Sequence, residues 1–412
     1  MKGVDATYLR ELHGELDTVM RERLDSVIER MVRTKEGGGK ILVVTGSGPN
    51  IHEGATTLLA ELVARGVVDG IITSSAVVAH EMAGSLDRVK RVDGRAIGIE
   101  GEALPRGDLF EVTMMEKDTL TLIREEMIID TGLIEKVLNM SGEVIIKAAG
   151  NMAYPMGLRT ERIAGEVEGL AQSCGETFEY IAGLGADPRT MIGAGASMHV
   201  PVVVSVPQLI GGGMVGLSIG DSISFKRRSA FVASMLAEAS IIIESGIALS
   251  QEIHDGPFET YTGHGIWSAW VGMRTFSLRD KTLVRIDLDP NLEKVWEIEK
   301  SEGEVQKSVD RGLPKTKTFK VPFRMEMSGF ARLEGSIPLI GDLGVLWPLL
   351  AEGVSEKLRI NLDFISYPQE SERGKEMRNW IVDNVHILDR RMMFQKAHAL
   401  MSSSRPLHEG GA

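Results

Sequence analysis

Hydrophobic residues change their spacing several times along the chain. Between 7 and 35 they recur at helical intervals (Leu9, Leu12, Leu16, Val19, Met20, Leu24, Val27, Ile28, Met31, Val32) with charges between them. One long amphipathic helix, or two, is expected there, followed by a connector at 36–40 that holds three glycines. The run ILVV at 41–44 is short, β-branched and free of charge, as a strand buried on both faces of a parallel sheet should be. Helical spacing returns at Leu58, Leu59, Leu62 and Val63, and Gly66 can take the left-handed cap that ends such a helix. A second apolar run at 67–72 completes a βαβ unit.

Further strands are predicted at 143–149, 202–206, 240–244 and 282–287, with shorter ones at 95–100 and 108–114. Helical patterns fill 118–140, 161–183, 222–238 and 291–300. After 304 the pattern changes. Short apolar groups at 318–340, broken by Gly329, Gly335 and Pro338, read as antiparallel strands. A helix near 343–352, a strand at 358–365 and a charged helix from 372 to about 401 follow. The fold class expected is α/β: a doubly wound, mostly parallel sheet with an N-terminal helical segment and a smaller C-terminal α+β region. The corresponding divisions are 1–40, 41–304 and 305–412.

Charge and composition narrow the classes of partner. The 412 residues carry 58 acidic and 46 basic side chains, a net charge of -12. Such a surface repels a phosphate backbone unless basic residues cluster, and they do not, so no nucleic-acid partner is expected. Cys174 is the only cysteine, which excludes an internal disulfide and fits a reducing cytoplasm. Charges near the N-terminus argue against a secretory signal. The stretch 190–220 has no acid or base except His199, yet Pro201, Pro207 and the triple glycine at 211–213 break a helix, so no membrane span is expected.

In a doubly wound sheet, ligands bind at the carboxyl ends of the strands. The two loops that follow the first two strands carry His52, Glu53, Ser74, Ser75, His80 and Glu81 there. Gly46, Ser47 and Gly48 form a G-x-G turn, but Ile51 stands where a dinucleotide fingerprint has its third glycine. A second glycine-rich stretch, 211–221, offers Gly212 and Gly213 for close backbone approach to a phosphate. Asp221 closes it and is expected to cap the next helix. Asp287 and Asp289 end a strand, where an acid can accept ribose hydroxyls, although Asp289 also suits a helix cap. Asn151, Tyr154 and Arg159 follow another strand and are candidate substrate contacts. His254 and Asp255 lie among turn residues that also hold Trp267 and Trp270. Their spacing with Glu259 and His264 matches no compact ligand motif, so no metal is expected.

Over roughly 41–296 the sequence resembles the C-terminal NAD-binding domain of lysine-oxoglutarate reductase/saccharopine dehydrogenase-like proteins, some of which are ornithine cyclodeaminases. NIHEGA with His52 looks like that family's VVHTGG segment, SSAVVAHE with Ser75, His80 and Glu81 like its N-A-x-A-x-H-D pattern, and VRIDLDPNLEKV like its VDINP run. A more distant resemblance is to deoxyhypusine synthase, through SIGDSI at 218–223 and IIIESGIALSQEIHD, with His254 where that family has a histidine. Here Glu244, Ser245 and Gly246 replace its glycine triplet, and its lysine-bearing segment has no counterpart, which disfavours aminobutyl transfer.

The resemblance implies NAD as cofactor, a small amine or amino acid as substrate, and hydride transfer that gives an imine. His80 with Glu81 is then the first candidate pair for proton transfer, His254 with Asp255 the second, and His52, Glu53 and Asn151 are substrate-side residues. Both families form oligomers, so a homo-oligomer is expected. The alternative from another class is a nucleotide-binding protein without catalysis, regulatory or structural.

Overall fold

A computed structural model describes residues 5–46, 48–104, 108–205, 208–246, 278, 280–313 and 325–403. Ser47, His254, Asp255, Trp267 and Trp270 lie outside the described residues. The N-terminal pattern resolves into two helices, α1 (Ala6–Glu15) and α2 (Thr18–Glu36). Asp17 separates them, because its side chain accepts the Met20 N–H at 2.8 Å and starts a new helix. Then come β1 (Lys40–Thr45), α3 (Gly48–His52), α4 (Ala55–Ala64), β2 (Gly70–Thr73) and α5 (Ser75–Met82). The predicted βαβ unit is present, its glycine turn leading into the extra short helix α3.

A three-stranded antiparallel sheet is inserted next: β3 (Leu86–Asp93) at its centre, with β4 (Leu109–Thr113) and β5 (Glu143–Ala148) on either side. α6 (Lys117–Glu126) and α7 (Thr131–Asn139) join β4 to β5. Three helices, α8 (Met156–Cys174), α9 (Phe178–Gly185) and α10 (Met191–Met198), lead to β6 (Val202–Val204). α11 (Met214–Ser222) and α12 (Phe225–Glu238) precede β7 (Ala239–Ser245) and β8 (Thr282–Asp287). α13 (Pro290–Glu302), α14 (Glu304–Asp310), α15 (Met325–Arg332), β9 (Ser336–Ile340), α16 (Leu343–Leu358), α17 (Glu372–Asn384) and α18 (Arg390–Ser403) complete the described elements.

The main sheet has six strands in the order β6-β2-β1-β7-β8-β9, and every pairing is parallel. Period-2 alternation divides it between two cores. Ile41, Val43, Ile71, Ile243 and Ile286 face a layer that includes α2, α4 and α16. Leu42, Val44, Ile72, Ile242 and Leu283 face α12, α13 and α15, through Leu236, Leu292 and Phe330. Both faces are covered, which is why these strands are apolar without interruption. Among the described residues no helix is long and apolar enough to cross a membrane.

Four local expectations are corrected. β5 joins the small antiparallel sheet rather than the parallel one, and its half-exposed pattern reflects a single covered face. β9, expected to be antiparallel, pairs parallel with β8 as the sixth strand of the main sheet. Residues 358–365 form no strand and 95–97 form a 3-10 turn, since neither finds a ladder partner.

The outer edge of β6 is closed by a buried ion pair. Arg228 Nη1 donates to Glu179 Oε1 at 2.5 Å and to the Val204 carbonyl at 2.9 Å, while Glu179 Oε1 accepts the Val204 N–H at 2.6 Å. Both backbone groups of an edge residue are thereby satisfied, and both charged side chains are fully buried. Arg228→Met should therefore lower the unfolding free energy by about 3–5 kcal/mol, because Glu179 would be left buried without its counter-charge. Adding Glu179→Gln should recover part of that loss. Urea denaturation of both variants checks this; a loss under about 1 kcal/mol for Arg228→Met would refute the clamp.

Candidate functional site

A cleft of about 670 Å³ opens at the carboxyl edge of the main sheet, between α5, the turn after β5, the start of α8 and Gly211–Gly213. Ser74 ends β2 and starts α5, its hydroxyl accepting the Val77 N–H at 3.3 Å. The helix then buries Val77, Val78 and Met82 and turns Ala76, Ala79 and His80, at i, i+3 and i+4, to the cleft.

His80 is half-buried, and its Nδ1 lies 2.7 Å from the Ala149 carbonyl oxygen. A carbonyl can only accept, so Nδ1 carries the proton and Nε2 keeps its lone pair. The Gly150 N–H donates to Asp87 Oδ2 at 2.8 Å. That N–H and the Ala149 carbonyl belong to one peptide group, held from opposite ends by His80 and Asp87. Hydrogen bonds in such a chain polarise one another, so a carboxylate at Asp87 makes the Ala149 oxygen a better acceptor for the ring. Burial holds the His80 imidazole below its ordinary pKa; the Lys147 ammonium adds to this and the Ala149 carbonyl opposes it. His52, at the end of α3, is held down by burial, then by Arg378, His80 and Lys147. Near neutral pH both imidazoles are uncharged, and His80 presents an acceptor.

The opposite wall is glycine for a steric reason. Gly213 has φ +59° and ψ -135°, and a Cβ there would lie 2.5 Å from Glu161 Oε1. A Cβ on Gly212 would lie 2.7 Å from the Ser75 carbonyl group. Ser75 completes the junction by donating its hydroxyl towards the Gln208 and Leu209 carbonyls at 2.8 and 2.6 Å. The loops after β2 and β6 therefore dock on each other, and the exposed Glu161 carboxylate lies against the glycine turn. Asn151 and Tyr154 also line the cleft, and Tyr154 Oη accepts the Asp130 N–H at 2.7 Å. Glu161 and Phe110 were missed in the sequence. The only sign of Glu161 was its position four residues after Gly157, which packs on the Gly150 carbonyl.

Other candidates are placed elsewhere. Glu81 is fully buried and accepts the Met191 and Ile192 N–H groups at 2.8 and 3.0 Å, at the start of α10. The His80–Glu81 pair is not formed, because successive helical residues point about 100° apart. Arg159 is buried against Glu126 at 2.6 Å and donates to the Leu388 carbonyl, so it anchors α8 and does not face the cleft. Asp221 is exposed in the last turn of α11, and Ser224, not Asp221, caps α12 through the Arg227 N–H. Asp287 is 4% exposed; Oδ1 accepts the Asp289 N–H at 3.0 Å, and Oδ2 lies 3.4 Å from Arg285 without a hydrogen bond among the described residues. Asp289 caps α13 through the Asn291 N–H at 2.9 Å.

Gly46 and Gly48 flank the start of α3, whose Asn50 donates to the Ser245 carbonyl and accepts the Ser245 hydroxyl at 2.5 Å. This bridges β1 and β7, where the strand order reverses. Glu53 turns away and accepts the Gln369 N–H at 2.8 Å; burial raises its pKa to about 7. Among the described residues no group of three His, Cys, Asp or Glu side chains is placed to hold a metal.

No protein-family model and no curated protein matches the chain. Solved structures show a distant likeness. The apo structure of ArgZ, an arginine dihydrolase from the ornithine-ammonia cycle in cyanobacteria, is 12% identical with a TM-score of 0.38, over 82% of this chain and 31% of its own. A conserved putative LOR/SDH protein from Methanococcus maripaludis S2 is 12% identical with a TM-score of 0.39, over 84% and 70%. The ternary complex of AgrE with ornithine and NAD+ is 13% identical with a TM-score of 0.36, over 81% and 33%. This chain thus spans about a third of the length of ArgZ and AgrE.

Burial raises the Glu81 carboxyl from an ordinary 4.5 to about 7, against the two N–H groups that lower it. A folded pKa above the unfolded one means that the folded chain keeps a proton the unfolded chain releases. The resulting stability is full below the unfolded value, falls as pH rises through the window from 4.5 to about 7, and is lost above it. Glu81→Gln lacks this slope. Its stability relative to wild type should rise between about pH 5 and about pH 8 in urea denaturation. A difference independent of pH would contradict the buried, protonated carboxyl.

Proposed function

We propose that the chain is an NAD-dependent enzyme acting on a small amine or amino acid, with His80 as the proton-transferring residue. The observation that carries this is the His80 tautomer. With Nδ1–H committed to Ala149, Nε2 is an uncharged base on a cleft of about 670 Å³, a volume suited to a small ligand. A lowered pKa keeps that base free near neutral pH. Glu161 supplies a negative group that suits a substrate ammonium, and the Asn151 amide can hydrogen-bond a carboxylate. His80 takes the ammonium proton, which frees the nitrogen lone pair that drives amine oxidation to an imine.

Glu161 beside Gly213 disfavours a phosphate at that turn. Gly212 and Gly213 therefore belong to the substrate side. The cofactor is assigned to the edge between β1 and β7, with Gly46, Gly48 and Asp289. Buried Thr45 Oγ1 and Thr73 Oγ1, which end adjacent strands there without a hydrogen-bond partner among the described residues, fit a polar ligand at this edge. NAD, when bound, supplies the hydride acceptor.

Calorimetry should show NAD+ or NADH binding, and a panel of amines and amino acids should reduce NAD+ with the wild-type protein. His80→Ala should cut turnover by about two to four orders of magnitude. Its thermal stability should change little, since one hydrogen bond is worth about 1 kcal/mol. Absence of NAD(H) binding at about millimolar concentration would reject the cofactor, and unchanged turnover in His80→Ala would reject the base.

A further inference from the structure

A second cavity, about 800 Å³, lies on the far side of the Ala149–Gly150 peptide, between β3, the start of α6 and the segment 382–389. We propose that it binds a small organic cation, an ammonium or guanidinium head on an apolar stem, with Asp87 as the counter-ion. The inference rests on this cavity's own geometry and stands apart from the reading of the first cleft.

Asp87 lines the cavity and is 7% exposed. Its Oδ2 accepts the Gly150 N–H at 2.8 Å and the Thr113 hydroxyl at 3.4 Å, whereas Oδ1 has no donor among the described residues. A buried carboxylate with one unsatisfied oxygen lacks a positive partner, and among the described residues no side chain nearby is free to supply one. Lys147, whose charge reaches Asp87, is paired with Glu111. Arg88, at the rim, donates to Asn379 at 2.7 Å and faces Asp383 at 3.5 Å. Without a bound cation, burial keeps the Asp87 carboxyl up to about 7.

The lining explains the remaining specificity. Five acidic residues (Asp87, Glu116, Asp118, Asp383, Asp389) line it against Arg88, which disfavours an anion. Met114, Met115, Met156, Val385 and Ile387 form apolar walls. A bare divalent ion needs about six or more oxygen ligands, and methionine walls cannot replace its water. An alkyl stem against those walls with its charged head on Asp87 satisfies both parts of the site.

Calorimetry with n-butylammonium and n-butylguanidinium chloride, and n-butanol as the uncharged control, tests this on the full chain. Both cations should bind wild type and butanol should not. Asp87→Asn keeps an acceptor for the Gly150 N–H but removes the charge, and should weaken binding roughly ten- to hundredfold. Thr119→Trp should narrow the cavity and weaken binding while leaving the Asp87 charge in place, so the test survives an unstable Asp87 variant. His80→Ala should bind as wild type does. The proposal is overturned by absence of cation binding, by equal binding of butanol, by binding that withstands Asp87→Asn or Thr119→Trp, or by binding that disappears in His80→Ala, which would place the cation in the first cleft.

Discussion

An ionisable side chain taken out of water costs several kcal/mol unless hydrogen bonds, an opposite charge or a retained proton meet it, and this chain buries many. Most are met by a group from a distant part of the sequence. Glu179 and Arg228 close the edge of β6, Arg159 pairs with Glu126, Glu81 takes the first N–H groups of α10, and Glu53 takes the Gln369 N–H. These contacts tie helices to the strand ends. Loosening one would leave a desolvated polar or charged group, which holds the loops at the carboxyl edge in place. Glu244, Arg285 and Asp287 meet the constraint least well. Their closest approaches are 3.4 and 3.5 Å, and the guanidinium nitrogens find no hydrogen bond among the described residues.

The cleft is a product of the same constraint. α5 faces two ways: Glu81 is drawn inward to α10, and His80 is left on the outer side, where the Ala149 carbonyl selects its tautomer. Asp87 holds the other end of that peptide and is itself held by burial. One backbone amide therefore lines the first cavity and holds Asp87 of the second. Glycine finishes the arrangement, since a Cβ at Gly212 would meet the Ser75 backbone at 2.7 Å and Gly213 takes a positive φ.

Much of the architecture could be read from local pattern. Unbroken β-branched runs mark strands covered on both faces, and 3.6-residue spacing marks the helices, because both depend only on which neighbours a residue meets within a few positions. The apolar run at 41–44, the helix ending near Gly66 and the placing of His80 and Asn151 shortly after strands belong to this class. Strand partners do not. A run such as EVIIKAA is compatible with either sheet, and only the presence of β3 beside it made β5 antiparallel.

By itself, then, the sequence determined the α/β class, the main strands, the Asp289 helix cap and the position of His80 just after a strand, since each follows from composition and spacing along the chain. The tertiary structure alone decided that β9 extends the parallel sheet, that Arg159 is consumed by a buried pair, and that Glu81 is a structural carboxyl group. It also brought Asp87, Gly150, Ala149 and His80 into one hydrogen-bonded line. The physical reason is common to all of these: whether a polar side chain faces a ligand or a neighbour depends on which distant N–H, carbonyl or counter-charge the fold brings within about 3 Å of it, and sequence spacing carries no record of that.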